Sequence, residues 1–355
     1  MNNSLKKISK QILKIDVKYW LLIIVIFALV LRLLFFIGYT SNPAYEGIHL
    51  STARMIHNGE FNNYLSRYRE MPENYIASTA ETHPVRLLMN YPVAFFWNFG
   101  INDLTTVLWP LLTSLGLVMT TFFIGKELWN VEIGLLSAFL ASFSPVDVIN
   151  ATRLDTDIVL AFFMALSVLF FLRSVKNKNY RRFNYLSAGT CIGFSYLVKL
   201  FVVLLLFIFF IYLLYKKKIN KKILFLISGF LMVFILEGFY FYLTSGHFLL
   251  HYEICSVAPR DYALKTLAGN FYISEWLNVL YYYRPPLYYF PYLFNIHSIA
   301  SDTSFPEIWH FSYLLIFSII VLFLIKKHKK IFFPLLWFSG LLFMEFGFIG
   351  IEFFL

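Results

Sequence analysis

Apolar residues along the chain form nine long runs, which short polar connections separate. An α-helix needs about 20 mostly apolar residues to cross the hydrocarbon core of a membrane. The runs cover residues 19–38, 104–124, 131–149, 156–174, 184–198, 199–215, 223–243, 309–325 and 331–350. This pattern predicts an all-α, polytopic integral membrane protein with about nine transmembrane helices. The fifth and sixth runs meet near Lys199, where we expect a break.

Basic residues are concentrated in the N-terminal tail and in four short connections between apolar runs. These positions are residues 6–18, Lys126, 173–182, 216–222 and 326–330. Cytoplasmic connections of membrane proteins carry an excess of Lys and Arg. The charge distribution therefore predicts a cytoplasmic N-terminus, for a protein that we expect in the plasma membrane. The net charge of +10 then reflects topology, and no nucleic-acid partner is expected.

Two outer segments are long, residues 39–103 and 244–308, within a single polytopic membrane domain that spans residues 1–355. A long segment without low-complexity sequence is usually functional. In the first outer loop, residues 46–58 and 85–98 are predicted to form short helices. The second of these is apolar and aromatic but too short to span, so we expect it to lie along the bilayer surface.

The segment YEGIHLSTARMIHNG, which follows the first apolar run, carries the first candidate residues. On a helix beginning here, Glu46 and His49 are three positions apart and share one face. Glu46 is a candidate general base. The alternative is a first-turn carboxylate that only complements the helix dipole.

The segment TRLDTD places Asp155 and Asp157 beside Arg153, directly before an apolar run. One Asp is enough to cap a helix N-terminus, so the second is available to orient a sugar, a cation or a basic side chain. Lys199 is a charge within apolar sequence. Such residues mark functional sites, unless the side chain reaches the interface from a helix end.

Further cations occur in both outer loops. His83 and Arg86 begin the predicted interfacial helix, and an Arg at that depth suits a lipid phosphate because its guanidinium binds two oxygens at once. Arg260, in the second loop, is a similar candidate or forms a solvated ion pair with Asp261. The histidines and aspartates leave a divalent cation open, although their spacing matches no specific metal motif.

The order of these motifs resembles the membrane glycosyltransferases of the GT-C fold, in the branch of the protein O-mannosyltransferases and the lipid A aminoarabinose transferase. The resemblance covers roughly residues 19–260. The shared features, in chain order, are Glu46 with Ala53 and Gly59, His83–Pro84, Phe99–Gly100, GKELWN at 125–130, the stretch from Pro145 to Asp157, Gly193 with Lys199, and TSGHFLL at 244–250.

The resemblance implies an enzyme that moves a sugar from a polyprenyl-phosphate donor to a protein, lipid or polysaccharide acceptor at the outer membrane face. Glu46 would be the catalytic general base. The cations implied for the leaving phosphate are Lys199, Arg86, His83 and Arg260. The residues implied for orienting the acceptor or a cation are Asp155, Asp157, Arg153 and His49.

Two departures from the family keep other functions open. The family often has an Asp–Glu pair, but Tyr45 precedes Glu46 here, and His49 stands where the family has Tyr. The resemblance also implies further C-terminal helices, often with a soluble outer domain, so we expect this chain to be a minimal member or a fragment. A transporter or flippase of a lipid-linked substrate, or a non-catalytic homologue in an envelope-assembly complex, is therefore the alternative.

Overall fold

The computed structural model describes residues 16–36, 46–68, 85–177, 179–218, 221–252 and 254. All of these except Ile254 belong to one compact unit. The described residues form helices and turns, and no strand occurs among them. The predicted all-α class is confirmed for this part of the chain.

The described residues form eleven α-helices, numbered in chain order. They are α1 (Val17–Phe35), α2 (Glu46–His57), α3 (Phe61–Tyr68), α4 (Leu87–Phe96), α5 (Asp103–Leu128), α6 (Val131–Ser142), α7 (Pro145–Asn150), α8 (Thr156–Lys176), α9 (Arg181–Tyr196), α10 (Leu204–Tyr215) and α11 (Leu224–Ser245). Short 3-10 turns precede α10 and α11 and follow α4. The two short helices predicted in the first outer loop are present as α2 and α4.

Helix boundaries coincide with polar residues that satisfy the terminal backbone groups. Asn102 accepts a hydrogen bond from the Thr105 amide (3.0 Å) and begins α5 with a capping box. Asn130 caps α6 by accepting a hydrogen bond from the Ile133 amide (2.9 Å). At the end of α11, Gly246 adopts φ 78°, a left-handed conformation that glycine reaches without strain.

One predicted span is wrong as a continuous helix. The apolar run 131–149 breaks after Ser142, and α7 begins again at Pro145. Proline has no amide hydrogen to donate, and it disfavours the helical conformation of the preceding residue. The apolar character of this run therefore does not indicate the helix end after Ser142.

In the part of the chain that the structure describes, four helices are long and apolar enough to cross a membrane: α1, α5, α8, and α11 with the turn that precedes it, Lys221–Ser245. The apolar helices α6 and α10 are shorter, with 12 residues each. The membrane character is thus supported, whereas nine passes and a single domain over residues 1–355 remain predictions. The apolar runs 309–325 and 331–350 and most of the second outer loop lie outside the described residues.

Helix α8 lies at the centre of the unit, since most of its residues are buried and it packs against both α5 and α9. Helix α9 in turn packs closely on α11. Gly189 and Gly229 make this approach possible. A Cβ atom on either would overlap a backbone carbonyl oxygen of the facing helix, as small residues allow in membrane helix pairs.

Arg32 fastens α1 to the rest of the unit. Its side chain is fully buried and donates hydrogen bonds to the Ser114 hydroxyl (2.7 Å) and to the carbonyl oxygens of Ala28 and Ser142 (both 3.0 Å). A buried guanidinium requires such partners, since an unpaired buried charge is very costly. This cation therefore joins α1, α5 and α6.

Candidate active site

The N-terminus of α8 and the end of α9 meet at one polar cluster. Asp155 caps α8 by accepting a hydrogen bond from the Asp157 amide (2.7 Å). The Asp157 carboxylate accepts a hydrogen bond from the Lys199 ammonium, and the two form an ion pair. The two aspartates therefore have different tasks: the first caps the helix, and the second binds a cation.

Lys199 is positioned by the break that the sequence predicts. Helix α9 ends at Tyr196, and a 3-10 turn, Leu200–Val203, precedes α10. The Lys199 amide still donates to the Ser195 carbonyl oxygen (3.0 Å), which fixes the residue at the end of α9. The Lys199 side chain is 27% exposed and that of Asp157 is 51% exposed, so the pair remains open to a ligand.

Arg86 adds a second cation to this cluster. It precedes α4 and donates a hydrogen bond to the Thr156 hydroxyl (3.2 Å), next to Asp157. The guanidinium also interacts electrostatically with Asp157 and with His49. The cluster therefore contains two cations, Lys199 and Arg86, and two carboxylates, of which Asp155 caps α8 and Asp157 binds Lys199.

His49 links α2 to α4. It is buried, and its Nδ1 donates a hydrogen bond to the Asn90 side-chain oxygen (2.7 Å), because that oxygen can only accept. Burial lowers the pKa of His49 to about 4, with a further contribution from Arg86, while the bond to Asn90 acts in the opposite direction. The imidazole is therefore neutral at pH 7.

The remaining predicted site residues are not joined to this cluster by the contacts described. Glu46 is the first residue of α2, and its side chain lies outside the described residues. Arg153 is exposed in the turn before α8. His83 and Arg260 also lie outside the described residues. In the part of the chain that the structure describes, no three His, Cys, Asp or Glu side chains form a metal-binding group.

Sequence reasoning missed the polar partners that hold this region together. Asn90 and Thr156 contact His49 and Arg86 across 41 and 70 positions of the chain, so no local pattern indicates these pairs. Tyr91 and Tyr240 share a hydrogen bond between their hydroxyl groups (2.6 Å). Tyr240 donates to Asn62 (3.1 Å), so this chain of bonds joins α3, α4 and α11.

A buried acid–histidine pair also escaped the sequence analysis. Glu237 in α11 and His251 lie 2.7 Å apart, and their side chains are only 3% and 2% exposed. The His251 ring packs on Tyr196, with ring centroids 5.1 Å apart, close to the end of α9. A carboxylate within the apolar run FILEGFYF was a signal that could have been used, since charges inside membrane spans mark special sites.

Comparison with known proteins agrees with the resemblance noted from the motifs. A family model for dolichyl-phosphate-mannose-protein mannosyltransferases matches residues 83–240. The match begins at His83 and includes Arg86, Asp157 and Lys199, whereas Glu46 precedes it. The resemblance to this group is therefore confirmed over this segment of the chain.

A relative in Aquifex aeolicus, described as an uncharacterized protein, is 26% identical over 272 residues. The alignment covers 72% of this chain and 54% of the relative, so the chain spans about half the length of that protein. No solved structure shows significant similarity to the chain.

Proposed function

We propose that this protein is a membrane glycosyltransferase that takes a sugar from a polyprenyl-phosphate donor and transfers it to an acceptor at the outer membrane face. The observation that carries the proposal is the cluster of Lys199, Asp157 and Arg86 inside the segment that matches the mannosyltransferase family. The family suggests the reaction type, and the cluster supplies residues suited to it.

The cluster is suited to a phosphate leaving group. When the bond between the sugar and the phosphate breaks, negative charge develops on the phosphate oxygens. Cations held in place before the reaction stabilise that charge without reorganising. Lys199 is held at the break after α9, and Arg86 is tethered to Thr156 at the start of α8.

Asp157 allows these two cations to lie near each other. Lys and Arg side chains that point to one place repel each other, and a carboxylate between them offsets that repulsion. Asp157 interacts with both, through an ion pair with Lys199 and electrostatically with Arg86. We assign it an orienting role, and Asp155, which caps α8, supports the same turn.

Glu46 is the proposed general base. Glu46 begins α2, and His49 lies three positions further along the same helix. His49 contacts Asn90 in α4, and Arg86 acts on it electrostatically. These contacts connect the helix that carries Glu46 to the segment that carries Arg86.

The reaction is a single displacement. The acceptor oxygen or nitrogen attacks the anomeric carbon, and Glu46 takes the proton that it loses. The bond between that carbon and the phosphate oxygen breaks, and its electron pair leaves with the polyprenyl phosphate. The anomeric configuration is inverted because the nucleophile enters opposite the leaving group.

A transfer assay tests the proposal. The purified chain is supplied with radiolabelled polyprenyl-phosphate sugars and a membrane extract as acceptor, with and without a chelator. We expect label to move with the wild type and to stop with Glu46→Gln. Glu60→Gln is the matched control, because Glu60 is an exposed acid just after α2 and should be dispensable.

The outcomes separate the alternatives. Full transfer by folded Glu46→Gln would exclude Glu46 as the base. If the wild type binds a donor but transfers no label, the chain is a non-catalytic homologue. If the folded wild type binds no donor of the panel, the glycosyltransferase assignment is wrong and a transporter becomes the better hypothesis.

A further inference from the structure

A second charged region lies at the other end of α8. An open cavity of about 530 Å³ is present where the ends of α5 and α8 meet the start of α9. Its lining residues are Glu127, Phe170, Arg173, Lys176, Asn177, Tyr180, Phe183 and Asn184. Asp157 and Arg173 are 16 positions apart in one helix, so this cavity is about 24 Å from the candidate active site.

The cavity has an excess of positive charge. Arg173 Nε and Lys176 Nζ each lie 3.4 Å from a different oxygen of Glu127, so one carboxylate serves two cations. Arg173 uses only Nε in this contact, and its terminal nitrogens are not part of it. Side-chain exposures of 35% for Arg173 and 52% for Lys176 leave both cations accessible to an anion from outside.

Apolar and amide groups complete the lining. Tyr180 and Phe183 are 66% and 63% exposed beside the cations. Aromatic side chains beside Lys and Arg are typical of the interface between a bilayer and water. Asn184 is buried, and its amide can contribute hydrogen bonds to a bound headgroup.

The charge distribution of the chain predicts that this end of α8 faces the cytoplasm. Basic pockets between transmembrane helices on the cytoplasmic side bind the headgroups of anionic lipids. We propose that the cavity is a binding site for the phosphate of an anionic phospholipid from the inner leaflet. Arg173 and Lys176 bind the phosphate, Tyr180 and Phe183 contact the upper acyl chains, and Glu127 competes with the lipid for the two cations.

The role of Glu127 distinguishes a lipid site from an internal ion-pair network. If the three charges form only an internal ion-pair network, removing any one of them weakens the fold and does not increase lipid binding. If the cavity is a lipid site, removing the competing carboxylate strengthens binding. Glu127→Gln and Arg173→Gln/Lys176→Gln should therefore have opposite effects on lipid retention.

Native mass spectrometry provides the measurement. The full chain is extracted from bilayers that contain equal amounts of phosphatidylglycerol and phosphatidylcholine, and the retained lipid is counted. Relative to the wild type, we expect about tenfold less phosphatidylglycerol on the double variant and about fivefold more on Glu127→Gln. Phosphatidylcholine retention should not change in either variant.

The matched control is Lys217→Gln/Lys221→Gln, which removes two exposed charges predicted to lie on the same face but outside the cavity. Equal loss in this control would mean general surface attraction and would overturn the site. Unchanged phosphatidylglycerol on Arg173→Gln/Lys176→Gln, or no gain on Glu127→Gln, would do the same. Displacement of the lipid by inorganic phosphate at matched concentration would reassign the cavity to a soluble anion.

Discussion

The two ends of α8 each place a carboxylate beside two cations, but they do so in different ways. At the N-terminus, Asp157 lies within the helix, and its partner Lys199 comes from the break after α9. At the C-terminus, Arg173 and Lys176 lie within α8, and the carboxylate Glu127 comes from α5. The helix thus presents an acid at its start and cations at its end.

The helix dipole favours this arrangement at both ends, because acids stabilise the N-terminus and cations the C-terminus. The difference lies in what surrounds each group. Near Asp157, Arg86 connects α8 to the first outer loop through Thr156, and the neutral His49 binds Asn90 within that loop. Near Glu127, an open cavity with exposed aromatic side chains is present. Similar charges thus lie in different surroundings, and this difference is the reason that we propose a different ligand for each end of α8.

The largest loss of stability is expected at the buried pair of Glu237 and His251, because almost none of either side chain is exposed to water. Glu237→Ala removes the carboxylate from this buried pair, and breaking a buried pair costs about 3–5 kcal/mol. We expect a loss of this size in the free energy of unfolding, measured by denaturant titration in detergent. Glu237→Gln retains an acceptor for His251 and should lose less; an equal loss would contradict the role of this hydrogen bond.

The strongest test of the difference between the ends is Lys199→Met against Arg173→Met. Removing one group that stabilises transition-state charge lowers the rate by about 10²–10³-fold, and we expect this loss of transfer for Lys199→Met. Arg173→Met should stay within about twofold of the wild type, since it is one helix length away from the site. Similar rates for the two variants in the transfer assay would contradict the different roles proposed for the two ends of α8.

Because of His49, we expect the free energy of unfolding to depend on pH. Because burial lowers its pKa from 6.5 to about 4, the unfolded chain binds more protons than the folded chain between these values. The free energy of unfolding should therefore fall by up to about 3 kcal/mol as the pH drops from 6.5 to 4. The difference from His49→Gln, measured by thermal unfolding across this range, isolates the effect; parallel curves would contradict it.

The smallest effect is expected at the C-terminal end. The bonds of Glu127 to Arg173 and Lys176 are long and partly exposed, and such ion pairs contribute about 0.2–1 kcal/mol. Glu127→Gln should therefore change the free energy of unfolding by less than about 1 kcal/mol. A loss of several kcal/mol in the denaturant titration would mean that this network is a structural element rather than an open site.

Several features could be predicted from the sequence because they depend on neighbouring residues. The helical class and the membrane character follow from long apolar runs. The cap at Asp155 follows from a polar residue directly before such a run, and the break at Lys199 follows from a charge within one. The run 131–149 was misread because hydropathy averages over a window, whereas Pro145 acts at one position.

The contacts that define the candidate site depend on residues distant in the chain, and only the tertiary structure could decide them. Asp157 and Lys199 are 42 positions apart, and Arg86 and Thr156 are 70 apart. These pairs meet because α8 packs against α5 and α9, and this packing depends on how the helix surfaces fit and on the course of the turns between the helices. The hydropathy of the sequence gives no information on this packing. The sequence therefore determined the helices and their charged ends, whereas the packing decided which charges meet.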